Sequence, residues 1–181
     1  MRLRGKYLKH LGFVPGRLIL RGGTRADYRA LQQFHYVAGP PATWAGVWTI
    51  EHDADNGLGW SGAIPVAVGV LSYPCLNCHA RERALNLARM SRRRRQRFVN
   101  ENVRTISRVI VHPTYRGLGL ASILIKCILE NCPTRYVEAL AAMARGHPMF
   151  AKAGMREFVP EDEDKPSYFL FENRRFISRA C

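Results

Sequence analysis

The chain has 181 residues, 47% hydrophobic and 10% aromatic, enough apolar material for the core of one ordinary domain, which excludes wholesale disorder. Lys and Arg total 28 against 14 Asp and Glu, a formal net charge of +14, and arginine outnumbers lysine 23 to 5. A guanidinium is a planar fork matched to phosphate and able to stack on bases, so this bias points to a polyanion: nucleic acid, a phosphorylated cofactor or an anionic surface. The longest nearly unbroken apolar run, residues 63–71, contains Pro65 and Gly69 and is far short of the roughly 20 residues of a spanning helix, so no membrane association is expected. The basic start of the chain runs into no continuous apolar segment, which argues against secretion and for reduced cysteines.

In chain order, residues 1–16 read as an irregular basic lead-in, and 17–181 as a single domain. A short strand is predicted at 17–21, then a helix over 25–37 capped by Thr24 and ended by Gly39-Pro40-Pro41. Strands follow at 47–51 and 65–73, separated by a polar turn. Residues 75–104 form a helix-compatible, arginine-rich insert. After it come a strand at 105–111, an amphipathic helix at 118–129, a strand at 136–143, a short helix at 148–153 and a last strand at 168–171, with the acidic loop 161–164 before it. This order predicts an α/β (α+β) sheet flanked by helices.

The stretch Val109-Ile-Val-His-Pro-Thr-Tyr-Arg116-Gly117-Leu118-Gly119-Leu120-Ala121 carries the clearest chemistry. A strand enters a turn with two glycines and leaves it as a helix, so backbone N–H groups at the helix start can face an anion, with Arg116 adding a charged donor. The bland alternative is a tight turn. A third glycine and a Gly-Lys-Ser/Thr ending are both absent, which disfavours a dinucleotide fingerprint and a P-loop.

This segment resembles the GNAT acyl-CoA-dependent transferases, whose signature is a strand, a proline-containing turn and Arg/Gln-x-x-Gly-x-Gly/Ala. Pro148-Met-Phe-Ala-Lys-Ala-Gly154-Met155 is similar to the family's second segment. The resemblance implies a GNAT-like mixed, mostly antiparallel twisted sheet with a basic insert before the central strand. It also implies acetyl-CoA, or another acyl-CoA, as cofactor. Its diphosphate would lie on Arg116, Gly117, Leu118, Gly119, Leu120 and Ala121, and its pantetheine along Val109, Ile110 and Val111. Many members have a proton-donating Tyr where this chain has Phe150.

Four further fragments, Phe34-His35-Tyr36-x-x-Gly39-x-Pro41, Val70–Pro74, Ile106–Pro113 and Glu138–Met143, resemble the Mom-like branch of the superfamily, which consists of bacteriophage DNA-modification proteins. That resemblance implies modification of an adenine exocyclic amine in DNA, with a carbamoylmethyl-type product, in the cytoplasm (the host's, if phage-encoded). DNA is then the preferred partner, with another polyanionic acceptor as the alternative. Residues 79–116 hold eleven arginines against Glu82 and Glu101, and Arg92, Arg93, Arg94, Arg95 and Arg97 are candidate phosphate contacts; otherwise the run is a solvated loop. Tyr36, Trp44, Trp48, Tyr73 and Tyr115 are candidate stacking faces for an extruded base.

Candidate catalytic groups are His35 and Tyr36 at the end of the first helix, Ser107, Glu138 and His147. His35 suits a base near neutral pH but also suits a helix C-terminus. Glu138, mid-strand among apolar residues, must be paired, protonated or used, and Arg108 on the adjacent strand is the structural alternative. Ser107 alternates with Arg108 and either bonds the donor or is a plain strand serine. His147 is a candidate acid in place of the missing Tyr. Cys75, Cys78 and His79 form half a zinc pattern, Cys127 and Cys132 could complete it only if the fold joined the pairs, and no metal ligand is assigned. Two rival functions remain: a conventional N-acetyltransferase on a small amine, peptide or protein, and a non-catalytic basic shell that binds nucleic acid.

Overall fold

The structure, a computed structural model, describes residues 17–37, 39–53, 62–142, 148–162 and 164–176. The lead-in 1–16, Met143, His147 and Cys181 lie outside them. Seven strands form one sheet in the order β1-β2-β3-β4-β5-β7-β6: β1 is Arg17–Gly22, β2 Gly46–Asp53, β3 Ala63–Ser72, β4 Val103–Val111, β5 Tyr136–Ala141, β6 Arg156–Phe158 and β7 Ser167–Glu172. Every neighbouring pair is antiparallel except β4 and β5. Three-residue β6, at the sheet edge, is the strand that periodicity could not find.

The helices are α1, Arg25–Leu31; α2, His79–Ala84; α3, Arg92–Asn102; α4, Leu120–Asn131; and α5, Met149–Lys152. Thr24 and Asp27 cap α1 reciprocally, as the sequence suggests. The helix stops sooner than the predicted 37: a 3-10 turn occupies Gln32–Phe34 and His35 is already extended. His35 therefore leaves the helix rather than capping its last carbonyls. Arg21 grips both Asp27 and Glu51, tying α1 to β1 and β2.

Each face of the sheet has its own cover. On one, Leu120, Leu124, Ile125 and Ile128 of α4 pack against Val66, Ala67, Ile106, Val137 and Ala139. Gly69 makes room for this: a Cβ there would lie 2.7 Å from Ile128 Cδ1 and 3.2 Å from Leu124 Cγ. On the other face, Tyr28 and Leu31 of α1 meet Val68, Val70 and Ile110. Glu138 alternates with the core residues Val137 and Ala139, so it points to the α1 face, where Arg81 of α2 meets it. The arginine-rich insert thus covers the β5 half of the face whose other half α1 covers.

Candidate functional site

Parallel β4 and β5 are paired only from Val103–Thr105 to Tyr136–Glu138. Both strands run on, to Val111 and Ala141, but they part, leaving one edge of β4 without a neighbour in the middle of the sheet. A cleft of about 770 Å³ opens there, walled by Ile106–Val111, Leu140 and Ala141, and reaching the glycine turn and α5. Unpaired strand N–H and C=O groups at its side can take an extended amide-bearing ligand as an extra strand.

At the far end, β4 passes through a 3-10 turn, Pro113–Tyr115, into the loop before α4. Gly117 and Gly119 have φ of +84° and +76°, values that side-chain-bearing residues rarely adopt. Gly119 is the N-cap of α4 and has no side chain to spend on the first-turn amides, so those N–H groups remain for a ligand. Arg116 is held near the wall by the carbonyls of Val111 (3.4 Å) and Phe34 (3.5 Å). Ser122 on the first turn of α4 donates to the Met149 carbonyl at 3.3 Å, fastening α5 beside the loop. Of the nine expected cofactor contacts, eight line the cleft. Leu118 packs against the core under α4 instead.

His35, Tyr36 and Ser107 also line it. The His35 and Tyr36 rings stack at 4.7 Å, and Tyr36 is 66% exposed. His35 Nδ1 lies 3.0 Å from the Val37 amide and 3.1 Å from its carbonyl, so Nε2 is the ring nitrogen left for other work. Burial, helped by the Arg108 charge and opposed by the Val37 carbonyl, holds the His35 pKa below its ordinary value. Ser107 departs from simple alternation. It is the extra residue of a β-bulge, since Val70 pairs with Arg108 and Leu71 with Ile106. Its hydroxyl reaches Ser72 Oγ (2.7 Å) and the Val70 carbonyl (3.3 Å), so it knits the bulge to β3.

Glu138 is placed elsewhere. It is 2% exposed and is not part of the cleft lining. Arg81 donates to both its oxygens (Nε 2.7 Å, Nη2 2.6 Å), Thr105 to one (2.7 Å) and Tyr168 to the other (2.9 Å). The carboxylate is fully occupied, and its partner is Arg81 rather than Arg108. The register explains this: Thr105 stands opposite Glu138, and Arg108 lies beyond the point where β4 and β5 separate. Burial opposes the Arg81 charge, but Glu138 outweighs it and raises the Arg81 pKa. Burial and the neighbouring carboxylate push the Tyr168 hydroxyl far up. Nothing local marks Arg81 as the partner among eleven nearby arginines; the only sequence signal is Glu138 itself, a mid-strand acid that must be paired, protonated or used.

The other candidates divide clearly. Arg92, Arg93, Arg94 and Arg97 are exposed on α3, Arg97 beside Glu101 at 2.9 Å, while Arg95 bridges to Glu82 of α2 at 2.9 Å. Tyr73 is 51% exposed, with the Arg104 guanidinium 4.4 Å from its ring centre. Trp48 packs against the core under α4 and Trp44 against the α1 cluster, so neither is a free stacking face. Tyr115 lines the cleft, its hydroxyl 2.5 Å from His52 Nδ1. Phe150 lines it too, packed on Phe169. Cys78 sits at the start of α2, on the opposite face of the sheet from Cys127 in the α4 core, so the two cysteine pairs do not meet.

Residues 79–155 match the family described as Acetyltransferase (GNAT) family. The fold is GNAT-like. NAA60 from Arabidopsis thaliana, in complex with a bisubstrate analogue, superimposes with a TM-score of 0.54 at 15% identity, over 87% of this chain and 97% of that one. The spermidine/spermine N-acetyltransferase SpeG from Vibrio cholerae gives 0.53 at 11% identity, covering 91% and 98%. A chain of the KacTA–DNA complex gives 0.51 at 10% identity, covering 90% and 98%. At such identities the likeness is one of fold. No curated protein sequence matches the chain. Among the described residues no helix is long and apolar enough to cross a membrane.

Proposed function

We propose that the chain is an acyl-CoA-dependent transferase that modifies an amine on nucleic acid, the exocyclic amine of adenine in DNA being the preferred acceptor. The observation that carries the coenzyme half is the parted β4 and β5 leading to an uncapped helix start behind two left-handed glycines. A pantetheine arm would extend β4 along Val109–Val111, and the diphosphate would take the amides of 117–121 with Arg116 beside them. The related chains solved as acetyltransferases lend the reading their fold, no more.

Two features support the acceptor half. The exposed arginines of α3 belong to the insert that covers the same sheet face as α1 and the His35–Tyr36 pair. The described cleft lining also contains no Asp or Glu. Adenine's amine is uncharged at neutral pH and needs no carboxylate to strip a proton before attack. Its nitrogen would bond to the thioester carbonyl carbon, the C–S bond would break, and the amine proton would pass to His35 Nε2, which its lowered pKa keeps unprotonated. Phe150 has no proton to offer the departing thiolate, and His147, the proposed substitute, lies outside the described residues. That step gives an N-acyladenine; a carbamoylmethyl-type adduct is joined to the amine through a CH2 and is not its product.

Calorimetry tests the coenzyme half: acetyl-CoA should bind, and Gly119→Asp, which sets a carboxylate and a strained φ at the diphosphate, should abolish the heat. Absence of heat with the folded wild type sinks the proposal. Mass spectrometry of nucleosides from DNA of expressing cells tests the acceptor; unmodified adenine, with turnover of a small amine or peptide instead, would favour the conventional N-acetyltransferase. DNA binding without acyl-CoA binding would leave the non-catalytic shell. The rate should fall on acidification only below about pH 6.5, the ordinary histidine value, because the folded pKa is depressed.

A further inference from the structure

The cleft is basic at two separate places. Arg116 and Lys152 lie at its glycine-turn end, Lys152 on the helix that Ser122 fastens to the start of α4. Arg108 lies on β4, three residues before Val111 and so about 10 Å back along the strand. The coenzyme's phosphates, on the reading above, account for the first group and leave Arg108 unexplained.

Its geometry is unusual. Arg108 Nη1 donates to the Ser107 carbonyl at 2.8 Å, while Nε is buried with no hydrogen-bond partner. The bulge at Ser107 directs the residue: Ile106 and Val109 share the α4 face, which turns Arg108 to the α1 side, where its charge is felt by His35. No carboxylate in the described lining offsets it. A buried Nε without a partner makes this guanidinium costly to hold in place, and an anion in the cleft that it lines would offset that cost through its remaining N–H groups. A polycationic acceptor would meet repulsion here.

We propose that Arg108 is a second anion site of the cleft, taking a phosphate or carboxylate that belongs to the reacting group or the acceptor rather than to the coenzyme's own phosphates. The inference rests on the proposed coenzyme reading and names the substrate class at its other end: an acidic acyl chain, or an acceptor carrying a phosphate beside its amine.

Calorimetry on wild type, Arg108→Gln and Arg108→Lys would use four probes: acetyl-CoA, malonyl-CoA, and, on protein saturated with coenzyme A, dAMP and deoxyadenosine. Wild type should prefer malonyl-CoA to acetyl-CoA or dAMP to deoxyadenosine. Arg108→Gln should erase that preference, a loss of about tenfold or more, and Arg108→Lys should restore only part of it because it lacks the fork. Loss with malonyl-CoA assigns the anion to the acyl chain, and loss with dAMP assigns it to the acceptor. Acetyl-CoA affinity should stay within about twofold, as for a site not shared with the coenzyme phosphates. No preference in wild type, a preference that survives Arg108→Gln, or an equal fall for acetyl-CoA would each overturn the proposal. Wild type that binds no acetyl-CoA would instead overturn the coenzyme reading beneath it.

Discussion

Helices α2 and α3 come from one arginine-rich insert, yet they use arginine in opposite ways. Arg81 of α2 is 1% exposed and every donor edge it presents is met, by Glu138 and by the Cys75 carbonyl at 2.7 Å. Arg92, Arg93 and Arg94 of α3 are exposed, and no acidic side chain pairs with them among the described residues. A buried charge survives only when paired and hydrogen-bonded, whereas a solvated one costs little and stays available. The buried arginine is therefore the bolt that holds the insert to β5, and the exposed row is what the bolted insert presents.

Breaking the bolt should have the largest effect. Arg81→Ala strands Glu138 in the core and should cost about 3–5 kcal/mol in urea unfolding, whereas Arg81→Met with Glu138→Leu should recover most of it. If Arg81→Ala is nearly neutral, the contrast between the helices fails. Arg95, which links α3 to Glu82 of α2 from a half-buried position, sits between the extremes. Arg95→Ala should cost under about 1 kcal/mol. Replacing Arg92, Arg93 and Arg94 by alanine together should leave the urea midpoint unchanged, while the slope of log affinity for DNA against log salt becomes shallower by up to about 3. An unchanged slope would remove α3 from the DNA surface, and a fall in acetyl-CoA affinity would show that the two anion sites are not separate.

Much of the strand and helix order was legible because it follows local rules. The Thr24 cap, the strand into Pro113 and the apolar stripe of α4 announce themselves within a dozen residues. The α1 boundary was missed because Phe34 and His35 continue a helical spacing that the chain abandons for a 3-10 turn. The bulge at Ser107 was missed because period-two reasoning assumes unbroken pairing, and its cause lies on β3, 35 residues away. Glu138 reads in the sequence as a mid-strand acid that must be paired, protonated or used; that it is paired, and with Arg81 rather than Arg108, depended on where two strands stop pairing.

What the sequence determined by itself is what neighbouring residues impose on one another: a two-glycine turn into a helix start, the alternation of elements, and a surplus of guanidinium. Tertiary structure decided which charges are buried and which are free, and where the sheet opens. Those outcomes depend on register and on contacts between residues far apart in the chain, so local spacing has no purchase on them. Arg81 and Arg108 are the same side chain in the same basic stretch, and tertiary register makes one a clasp for Glu138 while the other, past the Ser107 bulge and the parting of β4 from β5, lines a cleft.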